Sequence, residues 1–314
     1  MSSAVLFTRR PSHRRSARRR VRTAVSCALL LLLVACGGDG GEGPGRPRVT
    51  IGAFNFSESA ILAHLYAGAL EAAGYEAVVR ENLGNRELVA PALTRGDIDL
   101  YPGYAATELE FFNSGAGEAS ADPAATVERL RSRLATRNLT AFTPSPAVDT
   151  NAFVMTRATA DRLRVSKLSE LGRVSNELVL GGPPECPARP FCIPGLESRY
   201  GIEFESFRPL DPGGPLTKTA LANGDIDVAL IFSSDGFIAA NGLVVLADDR
   251  GLQNADNVVP VVRTSVVTDT LREALDGVSA ALTTETLTQL NAKADVDKKD
   301  PDDIAREWLD QNGY

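Results

Sequence analysis

The chain is almost without histidine and short of cysteine. Of 314 residues two are histidine, His13 and His64, and four are cysteine, Cys27, Cys36, Cys186 and Cys192. His13 falls in an N-terminal leader, so any chemistry that needs two histidines is excluded from the body. A Ser-His-Asp hydrolase would have to use His64, and no Gly-x-Ser-x-Gly elbow, Ser-x-x-Lys or His-Glu-x-x-His pattern accompanies it. His64 reads instead as a solvated residue on the outer face of a helix. The body also lacks a cluster of metal ligands. No enzyme, no metal and no cofactor are therefore expected.

Acidic residues are missing from one region. Residues 1–35 contain eight arginines and no Asp or Glu, while all 40 acidic residues follow. Without that leader the stated net charge of -7 becomes 25 basic against 40 acidic side chains, or -15 over residues 36–314. A body this acidic argues against a nucleic-acid partner, which needs clustered Lys and Arg to displace counterions from phosphate. A membrane-spanning run is absent too. The apolar stretch from Ala24 to Val34 has eleven residues, and at about 1.5 Å each it falls short of the roughly 30 Å hydrocarbon core. It is the apolar core of an export signal.

What the leader does contain is Leu33-Val34-Ala35-Cys36, followed by a Gly-rich stretch from Gly37 to Gly45. The four residues resemble a bacterial lipobox, in which the cysteine is acylated and becomes the new N-terminus. The alternative is an ordinary secretory signal cut near Ala35. The glycines suit a tether between membrane and domain. The expected division is a signal peptide at 1–35, a tether at 36–47, a first lobe from 48–150 plus 256–314, and a second from 151–255. For an exported chain, Cys186 and Cys192 are expected to close a local disulfide, with free thiols or a zinc site as alternatives.

Composition is otherwise globular, with 44% hydrophobic and 23% charged residues, enough for two domains. An internal duplication points the same way. Residues 92–104 read ALTRGDIDLYPGY and residues 220–232 read ALANGDIDVALIF, aligned without gaps at an offset of 128. Each pattern is an apolar helix stopped by a glycine, an Asp-Ile-Asp opening a strand, and an aromatic residue eight positions past the glycine, Tyr104 or Phe232. The alignment also pairs Leu88 with Leu216. Ligands of open α/β sheets sit beyond the carboxyl ends of strands, so two such ends facing one another make a cleft.

Other signals fill in the rest. A first strand is expected at Val49–Gly52. Asn55-Phe56-Ser57-Glu58 resembles a capping box opening a helix to about Ala73, with Ile61, Leu62, Leu65, Tyr66, Ala69 and Leu70 on its inner face. A strand follows at Glu76–Val79, and Pro123 starts a further helix. Thr143-Pro144-Ser145-Pro146 breaks the chain at a crossover, and Val258–Arg263 is a strand returning to the first lobe. Leu271, Leu275, Val278 and Leu282, and then a Pro301-started segment holding Trp308, mark closing helices.

Several phrases resemble the substrate-binding proteins of ABC importers for glycine betaine, choline and related osmoprotectants: IGAFNFSESAIL (51–62), LGNRELVAPALTRGDIDLYPGYAAT (83–107), GGPPECPARPF (181–191), LDPGGPLTKTAL (210–221), IDVALIFSSDG (226–236) and NVVPVVR (257–263). The resemblance implies a two-lobed type II periplasmic-binding-protein fold with a hinge of two crossover segments, closing on ligand between its lobes. It also implies an exported, lipid-anchored, monomeric receptor on the outer face of the membrane that delivers an osmolyte to a permease and, through it, an ATPase. A sensor that binds without delivering, or a receptor for an amino acid, is the alternative. Aligned by phrase, Tyr104 falls on the first ring of a tyrosine box for a quaternary ammonium, held by cation–π attraction, and Thr107 on the hydroxyl three residues later. Arg189 falls on a basic residue for the ligand's carboxylate. The remaining box positions become Asn151, Phe232 and Asp256 or a neighbour, and a lysine of the first-strand phrase becomes Phe54.

Overall fold

A computed structural model describes residues 45–314. Cys36, the signal sequence and most of the tether lie outside the described residues. Among the described residues ten strands run in chain order as β1 (Arg48–Gly52), β2 (Glu76–Arg80), β3 (Leu100–Tyr104), β4 (Leu139–Ala141), β5 (Asn151–Met155), β6 (Val179–Gly182), β7 (Ser206–Pro209), β8 (Val228–Phe232), β9 (Val244–Val245) and β10 (Val258–Arg263). They form two five-stranded sheets of the same plan, β2-β1-β3-β10-β4 and β7-β6-β8-β5-β9. In each, one strand, β10 or β5, runs against both neighbours. These are the strands the chain enters directly after crossing between sheets, at 142–150 and 246–257. The two crossovers run side by side, with Asp149 N donating to Asp256 O at 3.1 Å and Val258 N to Ala147 O at 3.0 Å.

The duplicated sequence is a duplicated structure. Helix Arg86–Arg95 ends on Gly96 with φ 83°, and helix Pro215–Asn223 ends on Gly224 with φ 76°, the left-handed conformation that glycine adopts without a Cβ penalty. Asp97 N and Asp225 N each return to the helix, to Ala92 O and Ala220 O at 2.9 Å. The second acid of each motif reaches sideways. Asp99 Oδ2 accepts from Thr50 N at 2.8 Å and Asp227 Oδ2 from Val179 N at 3.0 Å, clasping β3 to β1 and β8 to β6. The strands open one residue beyond Asp-Ile-Asp, while Ile98 and Ile226 are buried beneath the turn. Tyr104 and Phe232 end their strands as the alignment requires.

Helix Ser57–Ala72 begins where the sequence indicates, but not as a capping box. Phe56 is its N-cap and no side chain caps it. Ser59 Oγ instead accepts from Phe54 N at 2.8 Å, and Glu58 turns inward to a fully buried position. The helix is buried on more than the expected face, because helices Asp269–Ala281, Thr284–Asp295 and Pro301–Gln311 all pack on it. Gly68 permits the closest approach, since a Cβ there would lie 2.3 Å from Leu309 Cδ1. His64 is less solvated than its place on the helix suggests, lying 2.7 Å from Glu81 and 3.5 Å from Asp302.

Glu58 joins the two lobes. Its Oε1 accepts from the Tyr104 hydroxyl at 2.6 Å, and its Oε2 accepts from Ser234 Oγ and Asn291 Nδ2, both at 2.5 Å. Tyr104 ends a first-sheet strand, Ser234 follows β8 of the second sheet, and Asn291 lies on a closing helix. Asp149, in the first crossover, accepts from Ser234 N at 3.0 Å and Ser233 Oγ at 3.2 Å. Burial raises both carboxyls above their ordinary range, and their mutual repulsion raises Asp149 further. Replacing Glu58 by alanine would strand the buried Tyr104 and Ser234 hydroxyl donors and leave Asn291 Nδ2 only its bonds to Ser234, at 3.1 Å, and a loss of about 2–4 kcal/mol is expected. Urea unfolding checks this prediction; a Glu58→Ala change below about 1 kcal/mol would remove Glu58 from its structural role.

Candidate ligand-binding site

The carboxyl ends of β3 and β8 approach one another across a cleft. All seven residues singled out in the sequence line it: Phe54, Tyr104, Thr107, Asn151, Arg189, Phe232 and Asp256. Their surroundings differ from a simple box of rings.

Tyr104 is almost wholly buried and its hydroxyl is committed to Glu58. Burial, and next the Glu58 charge, raise its phenol well above the ordinary value, so the ring is neutral. Between Tyr104 and Phe232 stands a ring that the motifs did not indicate. Phe56 lies 5.0 Å from Phe232, 6.2 Å from Tyr104 and 5.8 Å from Phe54, centroid to centroid, and so links the aromatic groups of both lobes. Its phrase, Asn-Phe-Ser-Glu, signals a helix start so strongly that its ring reads as part of the cap. Phe54 lies deeper, 5.4 Å from Tyr101, with the Arg86 guanidinium 5.2 Å over its ring.

Asp256 and Thr107 form a unit across the second crossover. Thr107 N donates to Asp256 Oδ1 at 2.8 Å, and Thr107 Oγ1 donates to Asp256 Oδ2. The carboxylate thus caps the first turn of helix Ala105–Phe112 while its side chain stays at the cleft wall. Asn151, the first residue of β5, turns its Nδ2 to Phe191 O at 3.0 Å, so its carbonyl oxygen is the group left for the cleft.

Arg189 belongs to the rim. Its Nη2 donates to both oxygens of Glu87, at 3.0 and 2.9 Å, and to Glu185 Oε1 at 3.3 Å. Glu87 is on the first lobe and Glu185 on the second, so the guanidinium bridges the cleft mouth. Asn85 adds a weaker link to Glu185 at 3.4 Å. On the opposite side Lys218 pairs with Asp235 at 2.7 Å and reaches Asp295 at 3.4 Å, again joining the lobes. Cys186 and Cys192 carry the Arg189 loop, with Cα atoms 5.3 Å apart, within disulfide reach. Gly195 is required below the loop, because a Cβ there would lie 2.1 Å from Pro190 O.

Relatives agree with this architecture. The chain is 28% identical over 277 residues to the glycine betaine-binding protein YehZ of Escherichia coli (strain K12), covering 85% of this chain and 91% of that one. It is 28% identical over 295 residues to the carnitine transport binding protein OpuCC of Listeria monocytogenes, covering 90% and 93%. A solved structure described as a glycine betaine/carnitine/choline ABC transporter superposes with a TM-score of 0.66 at 28% identity, covering 84% of this chain and 98% of that one. Lactococcal OpuAC in its closed, glycine betaine-bound form shares the fold, with a TM-score of 0.61 at 13% identity over 85% of this chain and 96% of that one. Residues 47–311 match the family model described as the substrate binding domain of ABC-type glycine betaine transport systems, and the chain belongs to that family.

Proposed function

We propose that the cleft captures a small solute bearing a quaternary ammonium group, in the class of glycine betaine, choline and carnitine, and delivers it to an ABC permease outside the membrane. The observation that carries this reading is the group of rings from both lobes, Phe56, Tyr104 and Phe232, beside the buried Asp256 carboxyl. A trimethylammonium group donates no hydrogen bonds, so aromatic faces and a nearby negative charge are what can hold it, at roughly 0.5–2 kcal/mol per ring. The relatives' names support the same class. Asn151 and Asp256 favour a second reading, an amino acid whose ammonium hydrogens they would accept.

The leader supports an exported lipoprotein anchored through Cys36, with the Cys186–Cys192 disulfide formed outside the cell. The division into two lobes about 151–255 supports hinge closure on the ligand, with the receptor acting as a monomer.

Calorimetry against betaines, choline, carnitine and amino acids is expected to find a trimethylammonium solute that binds, and Tyr104→Ala should weaken it about tenfold. A chain stabilised by none of these solutes, or by amino acids alone, would overturn the quaternary-ammonium reading. Burial pushes the Asp256 carboxyl up to about 6, against hydrogen bonds from Thr107 and the charge of Arg86. The group keeps its proton below that value and is charged above it, so a cation binds the high-pH form. Affinity should therefore fall about tenfold from pH 7 to pH 5, and Asp256→Asn should flatten the profile; a flat profile in the parent would place the ammonium elsewhere. For the anchor, Cys36→Ala should move the protein from the membrane to the soluble fraction, and unchanged retention would count against acylation.

A further inference from the structure

Two guanidinium groups line the cleft, and they are engaged in different ways. Arg189 faces two carboxylates, Glu87 and Glu185, one from each lobe, and its side chain is 22% exposed at the rim. All three of its bonds leave from Nη2, and its Nε is buried with no acceptor, so neither edge of this guanidinium has two free donors to offer a carboxylate.

Arg86 sits deeper, 6% exposed, at the start of helix Arg86–Arg95. Only one edge of its guanidinium is tied down, by Nε donating to Glu108 Oε1 at 2.6 Å. Glu108 is fully buried and is fixed from its other oxygen by the Tyr101 hydroxyl at 2.8 Å. The Phe54 ring lies beneath the guanidinium at 5.2 Å. Pair and ring together hold the plane of the fork in place. Its two Nη groups donate to no acceptor among the described residues, and neither is sealed from the cleft. A planar fork with one edge anchored and the other open is matched to a carboxylate, which takes two parallel N–H bonds from it.

We infer that Arg86, and not Arg189, holds the anionic end of the ligand, so that the solute is a zwitterion with its ammonium among the rings and its carboxylate on Arg86. This rests on the reading given under Proposed function and departs from the resemblance, which assigns the carboxylate to Arg189. Arg189 then acts on closure and is indifferent to what the ligand carries opposite its ammonium.

The test is calorimetry of the full chain with two probes, glycine betaine and choline, which share a trimethylammonium group and differ in a carboxylate against a hydroxymethyl. Arg86→Gln alone leaves Glu108 buried and unpaired, so it is paired with Glu108→Gln, with Glu108→Gln alone and Arg86→Lys as controls. The double variant should lose about 10- to 100-fold for glycine betaine and less than about threefold for choline, and Glu108→Gln alone, which loosens the fork but keeps its charge, should lose less glycine betaine affinity than the double variant. Arg86→Lys, which keeps the charge but not the fork, should lose part of the glycine betaine affinity only. Arg189→Gln should weaken both probes alike. Equal losses for both probes in the Arg86 variants, or a selective loss of glycine betaine in Arg189→Gln, would overturn the assignment. A parent chain that binds choline but not glycine betaine would overturn it while leaving the proposed function standing. A parent that binds neither probe would overturn both.

Discussion

Glu58 is a buried carboxylate without a cation, held by hydrogen bonds from three separate parts of the chain. Such a group is tolerated only while its oxygens are satisfied, since taking an unpaired carboxylate out of water costs several kcal/mol. Its donors come from a strand end in the first lobe, the turn after β8 in the second, and a closing helix, so each part constrains the other two. Tyr104 has its ring on the cleft and its hydroxyl on Glu58. The placement of that ring is therefore set by the same contact that joins the lobes, and ligand geometry and hinge geometry are one problem in this molecule.

Much of this was legible in the residues. The Gly-Asp-Ile-Asp repeat announced both lobes because its helix stop is local, with glycine making the left-handed cap and the next backbone N–H returning to the helix, whereas the clasp of the second acid on a neighbouring strand, 49 and 48 residues away, shows only in the fold. Tyr104 and Phe232 followed by register alone. What was not legible depends on partners far away in sequence. Nothing local marks Glu58 as buried, because its burial comes from Ser234 and Asn291, 176 and 233 residues away. The family resemblance gathered seven residues that do line one cleft, yet it had no means of seeing that Glu87 occupies Arg189 or that Phe56 fills the space between the lobes' rings.

The charges of the cleft obey the same constraint. Each arginine has at least one acid of its own, Glu108 for Arg86 and Glu87 with Glu185 for Arg189, so neither is a bare positive charge. This leaves Asp256 and Asp149 as the wall carboxyls without a basic partner in hydrogen-bond contact among the described residues, consistent with the strongly acidic body. Long-range attraction for cations is modest at physiological salt, where the Debye length is about 8 Å, so selectivity must come from contacts inside the cleft.

The identical sheet plans conceal an asymmetry in time. The second sheet is built from one uninterrupted stretch and is complete at Val245, whereas the first has β10 between β3 and β4 and cannot close until Arg263 exists. A chain made from its N-terminus thus finishes its inserted lobe before the lobe that surrounds it. Asp149 and Asp256 meet only when β10 is laid in, and Asn291 reaches Glu58 later still. The wall of the solute pocket is therefore complete only at Asp256, after the second sheet, and the helices that brace it through Asn291 and Glu58 come last.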